Sequence, residues 1–181
     1  MPRPSDARAR FIETAAALFR RRGYNGVRLA EIIEESGAPK GSFYHHFPGG
    51  KEDLGEEAIR FAGRQIGRLI ERAFGEAAGF EAGAGALVAA LGDHLARSGW
   101  AEGCPVAAML DAGPASERLA GVLREVTDGW FDAVAAHAGR FGLEPDAARA
   151  RAERFLVILE GAWLLARVRR STEPLRIAAG A

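Results

Sequence analysis

With 181 residues, 48% hydrophobic content and a formal net charge of zero, the chain suits one domain or a small module joined to a larger one, and is too apolar for disorder. Cys104 stands alone, which excludes an intrachain disulfide framework and fits a reducing compartment. No apolar run reaches the roughly 20 residues of a membrane span, and MPRPSDARARF lacks a signal-peptide core, so a cytoplasmic protein is expected. The zero average hides an asymmetry. Residues 1–51 carry nine Lys/Arg against five Asp/Glu, whereas residues 52–181 carry 15 against 19. A basic end of this kind suits a polyanionic partner.

Phe11, Ala15, Leu18 and Phe19 recur at helical spacing, so residues 6–22 read as an amphipathic helix stopped by Gly23. A short helix from Leu29 to Ser36 follows, broken by Gly37, and residues 39–45 form a second, with Pro39 in its first turn. FPGG separates these from a long helix that opens near Lys51, with Glu52 and Asp53 at its positive end and Leu54, Ala58, Phe61, Ile66, Leu69 and Phe74 along its stripe. The Gly/Ala-rich GEAAGFEAGAGA reads as a frayed end and loop before a helix over 84–98. A short helix at Val106–Asp111, a long one over 115–140 and a last one over 146–170 complete the pattern. The tail STEPLRIAAGA is expected to be weakly ordered. Strand-type alternation is absent, so the expected class is all-α.

FLVILEGAWLLARV, residues 155–168, is apolar almost all round. Such a helix is either central to its own fold or has a second face for a partner. The preferred reading is a dimer seam with the 115–140 helix and their symmetry mates, as a four-helix bundle.

Short helix, glycine turn, short helix is the helix-turn-helix pattern. Here it spans residues 28–46, with RLAEIIEES first and PKGSFYHHF as the helix presented to the major groove. Leu29, Ile32, Ile33, Phe43 and Phe47 supply its core together with Phe11 and Phe19. Lys40, Ser42, Tyr44, His45 and His46 are then exposed for bases and phosphates, and Lys51 and Arg28 sit at helix starts where phosphates are held. The chemical alternatives fare worse. His45 and His46 are adjacent, so they diverge by about 100° on a helix and do not chelate as an i,i+4 pair does. GGKEDL lacks the GxxxxGK[ST] phosphate loop. Neither a metal nor a cofactor is expected. A helical hairpin with polar faces is the plain alternative.

Phe11 to Leu54 resembles the N-terminal domain of the TetR-type transcriptional regulators, through the A..LF...GY first helix, G..KGSFYHHF and the K..L opening of the fourth helix. The extra glycine of FPGGKEDL, GCPVAAMLDAG at 103–113 and EGAWLLAR at 160–167 are similar to the LmrA/YxaF-type subgroup. The resemblance implies a DNA-binding domain over 1–50 and a helical regulatory and dimerisation domain over 51–181. It further implies a homodimeric repressor that binds a near-palindromic operator and leaves it when a small effector occupies the second domain. The positions matching Lys40, Ser42, Tyr44, His45 and Lys51 then touch DNA, largely at phosphates. The threonine or serine that usually opens the second helix is Arg28 here, which removes a neutral cap.

An effector pocket implied in this way has Trp100, Cys104, Met109, Leu110, Phe131, Phe155, Trp163 and Leu164 as candidate lining and takes a small apolar or aromatic molecule. Glu160, inside the apolar run, is a candidate anchor or an edge residue paired with an arginine. Cys104 at a helix start is a candidate reactive thiol, although apolar packing is preferred. His94 and His137 have no metal partners in sequence. The rivals from other classes are an enzyme drawing on Cys104, His94 and Glu160, which lie in no recognised catalytic spacing, and a helical protein-interaction adaptor.

Overall fold

The computed structural model describes residues 4–112 and 116–180. The described chain is all-helical, without a strand. In order it contains α1 (Pro4–Arg22), α2 (Leu29–Ser36), a 3-10 turn (Lys40–Ser42) leading into α3 (Phe43–His46), α4 (Lys51–Gly75) and α5 (Phe80–Arg97). A second 3-10 turn (Ala107–Met109) precedes α6 (Glu117–Arg140), α7 (Pro145–Arg169) and α8 (Glu173–Ala179). Two compact units result. One comprises the described residues of 1–64 and 105–126, the other those of 65–104 and 127–181. Helices α4 and α6 each contribute to both.

The first unit is built on an aromatic knot. Phe11 of α1 meets Phe43 edge-on at 5.2 Å and Phe47 at 6.2 Å, and the last two rings lie 5.3 Å apart. Ile12, Ala15, Phe19, Val27, Ile32 and Leu54 extend this core, with Leu29 and Ile33 partly buried beside it. The start of α2 shows how an N-terminus survives without a capping side chain. The Glu31 carboxylate accepts the Arg28 backbone N–H at 2.7 Å, the reciprocal half of a capping box. That bond, helped by Arg22, holds the Glu31 carboxyl below its ordinary range. Gly37 ends the helix at φ +57°, a left-handed conformation that a residue with a Cβ adopts only at a cost.

Residues 39–45 were expected as one short helix, but the backbone is a 3-10 turn before it becomes α-helical at Phe43. The Ser42 N–H and hydroxyl both donate to the Pro39 carbonyl, at 2.9 and 2.7 Å, which closes the tighter turn. Similarly, the 106–111 helix is only the 3-10 turn Ala107–Met109, and the expected start of the next helix at residue 115 lies outside the described residues.

In the second unit two expectations are corrected. Helix α5 begins at Phe80, so most of the Gly/Ala-rich stretch is helix rather than loop. Tertiary packing overrides the weak propensity. Phe80 closes on Phe74 and Phe155 at 5.3 and 5.7 Å. A Cβ on Gly83 would lie 2.4 Å from the Phe74 ring, so glycine permits that approach. The tail is also not weakly ordered, because residues 173–179 form α8. Pro174 opens it, and Leu175 and Ala178, one turn apart, are fully buried among α5 and α7.

Helix α7 is not central to its chain. Phe155, Leu159, Trp163 and Ala166 are buried, whereas Val157, Leu164 and Val168 are 66, 61 and 74% exposed on the opposite side. No described helix is long and apolar enough to cross a membrane.

Candidate nucleic-acid interface

The buried Phe43 and Phe47 fix which side of α3 faces outward. Tyr44 (63% exposed), His45 and Lys40 project from the surface, while Ser42 and His46 are half-buried. These groups offer a phenol, imidazoles and an ammonium to base edges and phosphates. The Ser42 hydroxyl already donates to Pro39, so its remaining capacity is as an acceptor. The paired histidine rings sit 5.3 Å apart at 64°, and no group of three metal-ligating side chains occurs among the described residues. Arg28 is largely exposed, with its Nε 3.5 Å from the Glu31 carboxylate, so a phosphate there competes with Glu31 for the guanidinium.

Lys51 is placed differently from a free surface lysine. Its Nζ donates to the Tyr24 carbonyl at 2.6 Å and lies 4.1 Å from the centre of the Tyr24 ring. Burial lowers its pKa, opposed by the carboxylates of Asp111 and Glu31. Two of its three N–H donors remain for a phosphate.

The double glycine before Lys51 also has a structural cause. The Gly49 N–H donates to Asp53 Oδ2 at 2.6 Å, and a Cβ on Gly49 would stand 2.5 Å from that carboxylate. Arg118 of α6 reaches Asp53 at 2.7 Å and Glu56 at 2.6 Å. The Gly49 N–H first, and Arg118 second, hold the Asp53 carboxyl below its ordinary range. A lowered folded pKa stabilises fully above the unfolded value of about 4 and loses that contribution as pH falls through the folded value. Asp53→Asn is therefore expected to lower the urea midpoint at neutral pH and to flatten its acid limb. An acid limb as steep as the parent's would count against this cap.

The candidate effector residues divide. Met109, buried, and Leu110, exposed, belong to the first unit; Trp100, Cys104, Phe131, Phe155, Glu160, Trp163 and Leu164 belong to the second. Within the second, Cys104, Phe155 and Trp163 are buried, Trp100, Phe131 and Glu160 are half-buried, and Leu164 is exposed. The Cys104 thiol is hydrogen-bonded to the Glu160 carboxyl, whose pKa burial pushes up against that bond. The Trp163 indole Nε1 is buried without a hydrogen-bond partner. Cys104 does not begin an α-helix, so helix-dipole activation of its thiol has no structural basis here. His94 binds Glu102 at 2.9 Å, and His137 binds Glu71 at 3.1 Å while stacking on Phe74.

Sequence reasoning missed the partners of the turn after α1. The Tyr24 N–H donates to the Ala108 carbonyl at 3.1 Å, and Asn25 makes two bonds to Asp111 at 3.0 Å each. Gly23 was legible as the stop of α1. Nothing local marks a partner 86 residues away.

Residues 11–58 match the family described as bacterial regulatory proteins, tetR family, and residues 82–181 match the LmrA/YxaF-like C-terminal domain of transcriptional regulators. An uncharacterised HTH-type transcriptional regulator of Mycobacterium tuberculosis is 38% identical over 174 residues, covering 93% of this chain and 88% of that protein. The HTH-type transcriptional regulator LmrA of Bacillus subtilis is 30% identical over 175 residues, covering 94% and 91%. A TetR-family regulator from Agrobacterium tumefaciens shares the fold at a TM-score of 0.83 and 22% identity, over 98% of this chain and 95% of that one. With a helix-turn-helix head at one end and this second domain at the other, the chain belongs to the TetR family of transcriptional regulators, a family of regulators rather than enzymes, and carries a C-terminal domain of the LmrA/YxaF-like type.

Proposed function

We propose that the protein is a cytoplasmic, ligand-responsive repressor that binds a palindromic operator as a homodimer and releases it when a small apolar or aromatic molecule occupies the second domain. The observation that carries the DNA reading is α3, whose Tyr44, His45 and Lys40 project outward over the buried Phe43 and Phe47. Residues 1–50 form the DNA-binding part and 51–181 the regulatory part. Lys40, Ser42, Tyr44, His45 and His46 face the major groove and its rims; Lys51 and Arg28 hold phosphates.

The apolar outer stripe of α7 supports dimerisation. Val157, Leu164 and Val168 follow helical spacing and leave a continuous apolar face that a second copy, paired through α6 and α7, would cover. Glu160, bonded to Cys104 within an otherwise apolar helix segment, is the polar anchor of the effector site, and Trp163 offers it an unspent N–H. Effector binding favours a dimer whose two heads no longer match the operator spacing.

Selection from a random duplex pool by the full-length protein tests the operator and the symmetry together. The expected product is a two-fold symmetric motif with half-sites about one helical turn, roughly 34 Å, apart. An asymmetric motif would contradict the homodimer, and no enrichment would contradict the DNA reading.

A further inference from the structure

The turn between α1 and α2 is held from two sides, and the bonds form one continuous chain. On one side, Asp111 Oδ2 accepts the Asn25 backbone N–H and the Asp111 carbonyl accepts the Asn25 side-chain amide, both at 3.0 Å. Next to it the Ala108 carbonyl accepts the Tyr24 N–H. On the other side, the Tyr24 carbonyl accepts Lys51 Nζ at 2.6 Å, and the Tyr24 ring lies beneath the same ammonium. Met109 and Ala112 anchor the 105–112 segment in the core formed with α1. All of these residues lie within the first unit.

We propose that Asp111 is a positioning residue for DNA binding, acting from outside the helix-turn-helix by fixing the Tyr24–Asn25 turn, whose carbonyl and ring set Lys51 toward the DNA backbone. This rests on the DNA-binding reading above. The physical reason is entropic. A free lysine chain samples many rotamers, and an ammonium already held on one carbonyl loses less freedom when it meets a phosphate. Charge alone makes the opposite forecast, because Asp111 is an exposed acid beside a surface that receives a polyanion. Removing it would then tighten binding.

The test measures affinity for the duplex selected by the wild-type protein, across a salt series. Asp111→Ala is expected to weaken binding about 5- to 20-fold and to reduce the salt slope by about one, as loss of one lysine–phosphate contact does. Asn25→Ala, at an exposed position and neutral in charge, is expected to act in the same direction and decides the matter if the first variant fails to fold. Combined with Lys51→Ala, Asp111→Ala is expected to add less than about a twofold loss, since both act through one contact. Unchanged or tighter binding by the two turn variants, or full additivity with Lys51→Ala, overturns the positioning role alone. A wild-type protein that binds no duplex overturns the DNA reading and this role with it.

Discussion

Replacing Phe43 with alanine is expected to lower the free energy of unfolding by about 3–5 kcal/mol, the range for deleting a buried aromatic ring. Phe43 is fully buried and touches Phe11, Tyr44 and Phe47 at ring separations of 5.2, 5.2 and 5.3 Å. Two losses add. The ring's transfer into the core is forfeited, and the cavity cannot close readily because α3 is only four residues long and tied by the preceding 3-10 turn. Against a total stability of about 5–15 kcal/mol, a loss of this size removes a large fraction of the margin that keeps the head folded. Operator binding should fall with it, because Tyr44 and His45 take their direction from the residue beside them. Urea unfolding checks the first part. A change below about 1 kcal/mol would mean that the aromatic knot is not what frames the reading surface.

The second large effect concerns the outer face of α7. Leu164→Glu combined with Val168→Glu is expected to convert the proposed dimer to monomers, read by sedimentation, and to weaken DNA binding by about 100-fold or more. Each aliphatic side chain buried in the proposed seam would contribute about 1.5–3 kcal/mol, and two opposed carboxylates in its place would be unpaired and mutually repulsive. Because both residues are more than half exposed in one chain, the substitutions should leave the unfolding of the monomer itself nearly unchanged. A double variant that remains dimeric at the parent's concentration dependence would place the seam elsewhere.

Much of this architecture was legible because it is local. Phe11, Ala15, Leu18 and Phe19 declare α1 by spacing alone, and all four are buried. Ile32, Phe43 and Phe47 are core residues, and Gly37 is the expected break, which the backbone makes in a left-handed conformation. The errors at α5 and α8 share one physical cause, which is that tertiary contacts outweigh propensity. Gly83 is a poor helix former that nevertheless sits in α5, because its missing side chain admits the Phe74 ring. STEPLRIAAGA has too short an apolar pattern to hold a helix alone, and Leu175 and Ala178 hold it only by burial against other helices. In the site, the exposed row on α3 could be read from periodicity. The bond from Lys51 to Tyr24 and the tie from Asn25 to Asp111 could not, since they join residues 27 and 86 positions apart. The near-uniform dryness of residues 155–168 signals two apolar faces, of which one is buried and the other exposed.

We propose that the α3 surface reads a specific DNA sequence while Lys51 holds the DNA backbone. Fluorescence anisotropy with the labelled duplex selected from the random pool, at roughly physiological salt, tests it most directly. The wild-type protein is expected to bind that DNA at least about 1,000-fold more tightly than a random duplex. Lys51→Ala is expected to weaken both and to lower the salt slope by about one. Equal affinity for the two duplexes, or a Lys51→Ala variant indistinguishable from the parent, would contradict it.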